Sequence, residues 1–238
     1  IISSLDGKSN IAIGNALGSN IANIAFVFAI SYLFLKKDIL SVNRFIDRET
    51  YGSMFILIII SMLVFLILKD GMILVNEAIL LIISFSILVF LYKKFFYQDS
   101  QNYKKVNSEG SKSNARVFAN LVFGLLTLLV GTELLLNSSI IVAKHYGISN
   151  YVIGLSITAI GSSIPELASS IESARKKNID FIIGNILGSN IFNFAIVISL
   201  AGLFSLELPK PLYITDLLRD IIMILITMVG FYIIIKNH

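Results

Sequence analysis

The chain has 238 residues, 56% of them hydrophobic and 14% charged, with a mean hydropathy of +0.85 and a formal charge of +4. A soluble domain is roughly 25% charged, so this composition excludes an ordinary water-soluble globule. The absence of cysteine excludes disulfide frameworks and thiolate metal sites, and the small positive charge gives no reason to expect a nucleic-acid partner.

Seven apolar runs follow one another at 10–35, 51–68, 73–92, 116–143, 151–174, 180–206 and 217–235. Each is long enough to cross a bilayer as a helix. In lipid every backbone polar group needs a partner within its own segment, which predicts an all-α, polytopic membrane protein. The alternation of a membrane β-barrel is absent from the pattern. Residues 1–5 read as the tail of an earlier span. The chain opens on Ile1-Ile2-Ser3 without a methionine or a targeting peptide, which leads us to expect an interior piece of a longer protein. The stretch 98–115 is polar and rich in Ser, Asn and Lys. It is expected to be a flexible loop separating a first half, 1–97, from a second, 116–238.

Because each span changes sides, the loops sort into two sets. One set holds Lys36, Lys37, Arg44, Arg48, the six basic residues from Lys93 to Arg116, Arg175, Lys176, Lys177 and Lys236, fourteen in all. The other holds five: Lys8, Lys69, Lys144, Lys210 and Arg219. Basic residues accumulate on the cytoplasmic side, so the long loop at 98–115 is predicted to be cytoplasmic in a multi-pass protein of the cell membrane. Lys104, Lys105 and Lys112 need no further role than this orientation signal.

Gly14-Asn-Ala-Leu-Gly-Ser-Asn20 recurs as Gly184-Asn-Ile-Leu-Gly-Ser-Asn190, a constant offset of 170. Ten of fifteen positions are identical between 11–25 and 181–195. Shared Leu or Ile would mean little between apolar helices, whereas shared Gly, Asn and Ser at fixed spacing mark a true repeat. The loop before the first copy falls on the basic-poor side and the loop before the second on the basic-rich side. The copies therefore enter the membrane from opposite faces, an inverted repeat of the kind that places a transport site near the midplane. Gly14 and Gly18, like Gly184 and Gly188, form small-xxx-small pairs that are expected to let helices approach closely.

The span before the second copy contains Gly161-Ser-Ser-Ile-Pro-Glu166. Pro165 has no N–H and is expected to kink or break the helix and free the Gly161 carbonyl. Glu166 falls midway along its span, where an ionisable side chain is a functional candidate by default. The bland alternative is a carboxylate merely paired or protonated within the bundle. Ser162 and Ser163 precede Glu166 by four and three residues, on the same helical face. Taken alone they would be packing residues bonded back to the preceding turn. A carboxylate, hydroxyls and loosened carbonyls together make an all-oxygen set suited to hard cations such as Na⁺ and Ca²⁺. In the repeats, Ser19 and Asn23, and Ser189 and Asn193, pair at i, i+4. Asn23 and Asn193 either hydrogen-bond another helix or offer amide oxygens to an ion. Asn15, Asn20, Asn185 and Asn190 are as suited to supporting roles. Glu133, lacking a proline or hydroxyl motif nearby, reads as structural. Glu172 reads as a helix-end charge beside Arg175–Lys177, and His145 as a solvated loop residue.

These motifs resemble the sodium/calcium exchanger family of the cation/Ca²⁺ exchanger superfamily, in its prokaryotic form. The family's two α-repeats carry a G-T-S-x-P-E element followed by G-N-x-x-G-S-N-I-x-N/D. The second repeat here has both, as Gly161–Glu166 and Gly184–Asn193, while the first has only Gly14–Asn23. The resemblance covers essentially the whole chain. It implies an inverted-repeat transporter bundle in which about seven of ten helices, the third to the ninth, are present. The 170 offset puts the partner of Glu166 at position −4, so the first repeat's acidic element is expected outside this sequence, as is the last helix. The resemblance also implies a metal-binding set of Glu166, the shared acidic ligand, with oxygens from Ser162, Ser163, Ser189, Asn193, Ser19 and Asn23 and the carbonyl of Ala159. Ser162 stands for the family's Thr, and Asn193 stands where some members have Asp.

The implied function is transport without enzymatic chemistry or a resident cofactor. Na⁺ would be exchanged for Ca²⁺ by alternating access, with those ions and the lipid bilayer as the only partners indicated. Ca²⁺/H⁺ exchange, K⁺-dependent exchange, a cation channel and a non-transporting scaffold are the alternatives to be separated by experiment.

Overall fold

A computed structural model describes residues 9–35, 48–71, 73–96, 114–204 and 214–236. Among these residues all regular structure is helical. Helix α1 runs Ser9–Ala22, continues through a π-helical stretch at Asn23–Phe28 and ends as Ala29–Leu33. Helices α2 (Arg48–Leu68), α3 (Val75–Phe95) and α4 (Asn114–His145) follow. Helix α5 comprises Asn150–Ile153, π-helical Gly154–Thr158 and Ala159–Ser162; after a break at Ser163, α6 covers Ile164–Arg175. Helix α7 comprises Ile179–Phe192, π-helical Asn193–Val197 and Ile198–Phe204, and α8 is Ile214–Lys236. With α5 and α6 forming one crossing, seven helical spans among the described residues are long and apolar enough to traverse a bilayer, as the sequence predicts. The polar loop lies outside the described residues except for positions 114 and 115, which begin α4, and residues 1–5 lie outside them entirely.

The helix ends follow from local chemistry. The Leu74 amide donates to the Glu77 carboxylate at 2.8 Å, closing the start of α3, whose last turn carries Lys93 and Lys94. Asn178 caps α7, its side-chain oxygen accepting from the Phe181 amide at 3.1 Å. Gly147, at φ 71°, ends α4, and the Ile148 amide returns to the Ala143 carbonyl at 3.1 Å.

The two repeat copies lie at the centre. Helix α1 packs against α5, α7 and α8, while α7 packs against α2, α3 and α6. Ile13, Leu17, Ile182 and Ile186 are fully buried between them, whereas α4 runs along the periphery with its described apolar side chains largely exposed, as a lipid-facing helix would. Asn20 meets Asn193 and Asn23 meets Asn190. Three residues forward along α1 is thus three residues back along α7: the copies run antiparallel, as an inverted repeat requires.

The contact between α1 and α5 is backbone to backbone. A Cβ on Gly14 would lie 2.6 Å from the Tyr151 carbonyl oxygen, and one on Gly18 only 2.1 Å from that of Leu155. No side chain fits there, so these two glycines serve the close packing expected of them. The repeat-related Gly184 and Gly188 behave differently: nothing among the described residues would come within 4 Å of a Cβ on either.

Candidate ion-binding site

Proline shapes the centre of the site as the sequence predicts, and more sharply than a kink. Helix α5 stops at Ser162, Ser163 leaves the helical region at φ −91°, ψ 1°, and α6 restarts with Pro165 in its first turn. Proline is well tolerated there, since the first-turn amides lack helical partners anyway. Glu166 falls in the same first turn, where the positive end of the helix dipole favours a carboxylate. The break removes Ser162 and Ser163 from the helical face of Glu166: they close α5 while Glu166 opens α6.

Around this break the predicted residues gather in two groups. In the first, the Ser19 hydroxyl lies 2.9 Å from that of Ser162 and 3.4 Å from the Ala159 carbonyl oxygen. Ser162 in turn donates to the Asn15 amide oxygen at 2.9 Å and reaches the Ala159 carbonyl at 3.2 Å. In the second, Ser189 of α7 donates to Glu166 Oε1 at 3.3 Å. Asn185 holds the base of α6 from below, its amide reaching the Glu166 carbonyl, Ser169 and Ser170 at 3.4, 3.3 and 3.1 Å.

Of the remaining candidates, Ser163 sits at the break itself, and Asn23 and Asn193 face each other's repeat. The Asn23 amide donates to the Asn190 side-chain oxygen at 2.9 Å, and the Asn193 amide to the Asn20 side-chain oxygen at 3.1 Å. Asn190 also donates to the Asn20 backbone carbonyl at 3.1 Å. Asn23 and Asn193 each begin a π-helical stretch, and a third such stretch ends one residue before Ala159. A π-turn inserts an extra residue, widens the helix and is frequent at functional sites.

Several buried hydroxyls among the described residues satisfy themselves. Ser31, Ser61 and Ser199 are buried and donate to carbonyls of their own helices at 2.7, 2.8 and 2.5 Å. The candidate site departs from this pattern. Ser163 Oγ, Glu166 Oε2 and Asn23 Oδ1 are buried without a hydrogen-bond partner among the described residues. Leaving such an atom unpaired costs about 1–3 kcal/mol, more for a charged group. All three are oxygens and all belong to residues singled out from the sequence. The only other orphaned atom of this kind among the described residues is the Asn20 amide nitrogen, in the same cluster. No three His, Cys, Asp or Glu side chains converge among the described residues, so the donor set is one carboxylate with neutral hydroxyl, amide and carbonyl oxygens. That chemistry fits hard cations rather than transition metals.

The residues set aside from the sequence keep modest roles. Glu133 accepts from Asn137 on the exposed face of α4 at 3.0 Å, Glu172 pairs with Lys176 at 3.1 Å, and His145 is exposed. One group escaped notice. Asp220, 2% exposed, accepts hydrogen bonds from the Tyr151 hydroxyl and from Arg219 Nε, the latter at 2.9 Å. It ties the start of α5 to α8. An acid within the apolar span 217–235 is the available signal.

The profile of the sodium/calcium exchanger protein family matches residues 1–93 and 116–237. Inner membrane protein YrbG of Escherichia coli K12 is 30% identical over 212 residues, covering 86% of this chain and 63% of its own. Sodium/calcium exchanger MaX1 of Methanosarcina acetivorans is 39% identical over 121 residues, 51% of this chain and 34% of its own. This chain thus spans less than two thirds of the length of either relative. The sodium–calcium exchanger NCX_Mj, in a structure soaked with 10 mM Na⁺ and zero Ca²⁺, superposes with a TM-score of 0.60 at 28% identity, covering 94% of this chain and 70% of that one. The same exchanger soaked with 2.5 mM Na⁺ and 10 mM Sr²⁺ gives 0.62 at 24% identity. With the doubled motif, the antiparallel copies and a family profile that spans both halves, the chain belongs to the sodium/calcium exchanger family.

Proposed function

We propose that this chain supplies the ion pathway of an antiporter that exchanges Na⁺ for Ca²⁺ by alternating access. The observation that carries this reading is the set of three buried oxygens, on Ser163, Glu166 and Asn23, that have no partner among the described residues, contributed by both repeats. A cation is the partner such oxygens lack. Ca²⁺ takes six to eight oxygens, and the ligands proposed for it and for Na⁺ are Glu166, Ser162, Ser163, Ser189, Asn193, Ser19, Asn23 and the carbonyl of Ala159. Hydroxyls in this set donate their protons away from the ion, Ser189 to Glu166 and Ser19 towards Ser162 or Ala159, which leaves oxygen lone pairs for a cation.

Exchange follows from competition. Na⁺ and Ca²⁺ both require the Glu166 carboxylate, so occupation by one displaces the other. The break at Ser163 and the three π-helical stretches are places where helices can bend without unmaking their packing. Bending there would expose the same oxygens first to one side of the membrane and then to the other.

The test is Ca²⁺ uptake into vesicles containing the full-length protein. An outward Na⁺ gradient is expected to drive uptake, and Glu166→Gln to lower it by at least about 10-fold, since even a residue that only orients a metal ligand is worth roughly 10–100-fold. Uptake indifferent to the Na⁺ gradient would refute Na⁺ coupling, and uptake driven by a pH gradient without Na⁺ would replace it with proton coupling.

A further inference from the structure

An amide side chain has one donor end and one acceptor end. If a neighbour fixes the donor, the direction of the oxygen is fixed as well. Asn23 is 1% exposed and its amide nitrogen is held by the Asn190 oxygen at 2.9 Å. Its own oxygen therefore points away from Asn190, and it is one of the three buried oxygens without a partner. Asn193 is held in the same way by the Asn20 oxygen at 3.1 Å. Both anchors, Asn20 and Asn190, are themselves fully buried, so neither is free to leave the contact for water. Asn190 is further fixed by donating to the Asn20 backbone.

We infer that Asn20 and Asn190 are positioning residues: each grips the amide nitrogen of the opposite repeat's ligand asparagine and turns that ligand's oxygen toward the transported cation. This rests on the ion-site reading above and adds to it. The residues that aim each ligand belong to the other repeat, so neither half orients its own amide oxygen. Asn23 and Asn193 both open π-helical stretches, a local geometry frequent at functional sites. Without Asn190, the Asn23 amide is free to rotate and present its N–H₂ group, which repels a cation.

The experiment is a double-mutant cycle in the full-length protein, reading the Ca²⁺ concentration for half-maximal binding. Asn190→Leu keeps the branched side-chain skeleton, though not its volume, and removes the grip; it is expected to weaken Ca²⁺ about 10-fold or more, the range for a residue that orients a ligand. Asn23→Ala is expected to weaken it at least as much. The double variant is expected to bind no more weakly than Asn23→Ala alone, because there is no longer an amide to aim. A merely structural role for Asn190 would make the two effects multiply, and that result would overturn the inference. So would wild-type affinity in Asn190→Leu. If Asn190→Leu does not fold, Asn190→Ser, smaller and too short to reach the Asn23 amide, is placed in the same cycle with the same expectation. Absence of Ca²⁺ binding by the wild-type protein would overturn both this inference and the proposed function. Wild-type binding with independent effects would overturn this inference alone.

Discussion

Helices α1 and α7 carry the same seven-residue pattern, yet their glycine faces live differently. On α1, Gly14 and Gly18 press against the backbone of α5, with no room for a methyl group. On α7, Gly184 and Gly188 meet nothing within 4 Å among the described residues. One motif therefore has two mechanical meanings in one chain. The glycines permit close approach, but only a neighbour converts that permission into a contact. The lesson extends to the asparagines, which the same motif supplies to both helices. Those do find partners, because the two copies of the motif are partners to each other.

The comparison is broken most forcefully at Gly18. Gly18→Ala would place Cβ 2.1 Å from the Leu155 carbonyl oxygen, and backbone on both sides cannot yield cheaply. We expect a loss at or above the upper end of the overpacking range of ~1–3 kcal/mol, read as a fall in thermal unfolding temperature in detergent; an unchanged midpoint would refute the close packing of α1 on α5. A smaller effect is expected at the far anchor of α5. Tyr151→Phe removes a hydrogen bond to the buried Asp220 while leaving the one from Arg219. The cost should be about 1–3 kcal/mol, that of a buried acceptor losing one donor, and Asp220→Asn in the same background should recover part of it. No loss on Tyr151→Phe would mean that the contact with Asp220 does not anchor α5. The smallest effect sharpens the contrast. Gly188→Ala in the 238-residue chain should shift stability by no more than ~1 kcal/mol, and in the stabilising direction, since alanine is the better helix former. In any longer protein that set a helix against α7 as α5 is set against α1, the same substitution would become as damaging as Gly18→Ala.

Much of this was legible in the sequence because it follows from local rules. Apolar length fixed the seven spans, Pro165 fixed the break, and the basic-residue distribution anticipated the antiparallel copies before any contact was known. Each of the eight candidate ligands proved to lie at the α5–α6 break or on the facing parts of α1 and α7. What escaped depends on a partner distant in sequence. Nothing in Gly184-Asn-Ile-Leu-Gly-Ser-Asn190 reveals that Asn190 would grip Asn23, 167 residues away. Periodicity set Ser162 and Ser163 on the face of Glu166, but it assumes a continuous helix, and the helix ends between them and the acid. Asp220 lies inside the apolar run 217–235, but its partner Tyr151 is 69 residues away, and no local pattern shows that contact.

The paired asparagines also say something about ancestry. The bond from Asn23 to Asn190 and the bond from Asn193 to Asn20 exchange places under the 170-residue offset. Such an isologous contact is what closes a two-fold homodimer. Two separate, identical one-repeat chains meeting about a two-fold axis could have made both bonds before any linker joined them, so gene fusion would have inherited the contact without inventing it. What fusion permits is divergence. The Asn190 amide now reaches the Asn20 backbone, while the Asn20 amide has no matching bond among the described residues. In that one unmatched hydrogen bond the two descendants of a single ancestor are already distinguishable.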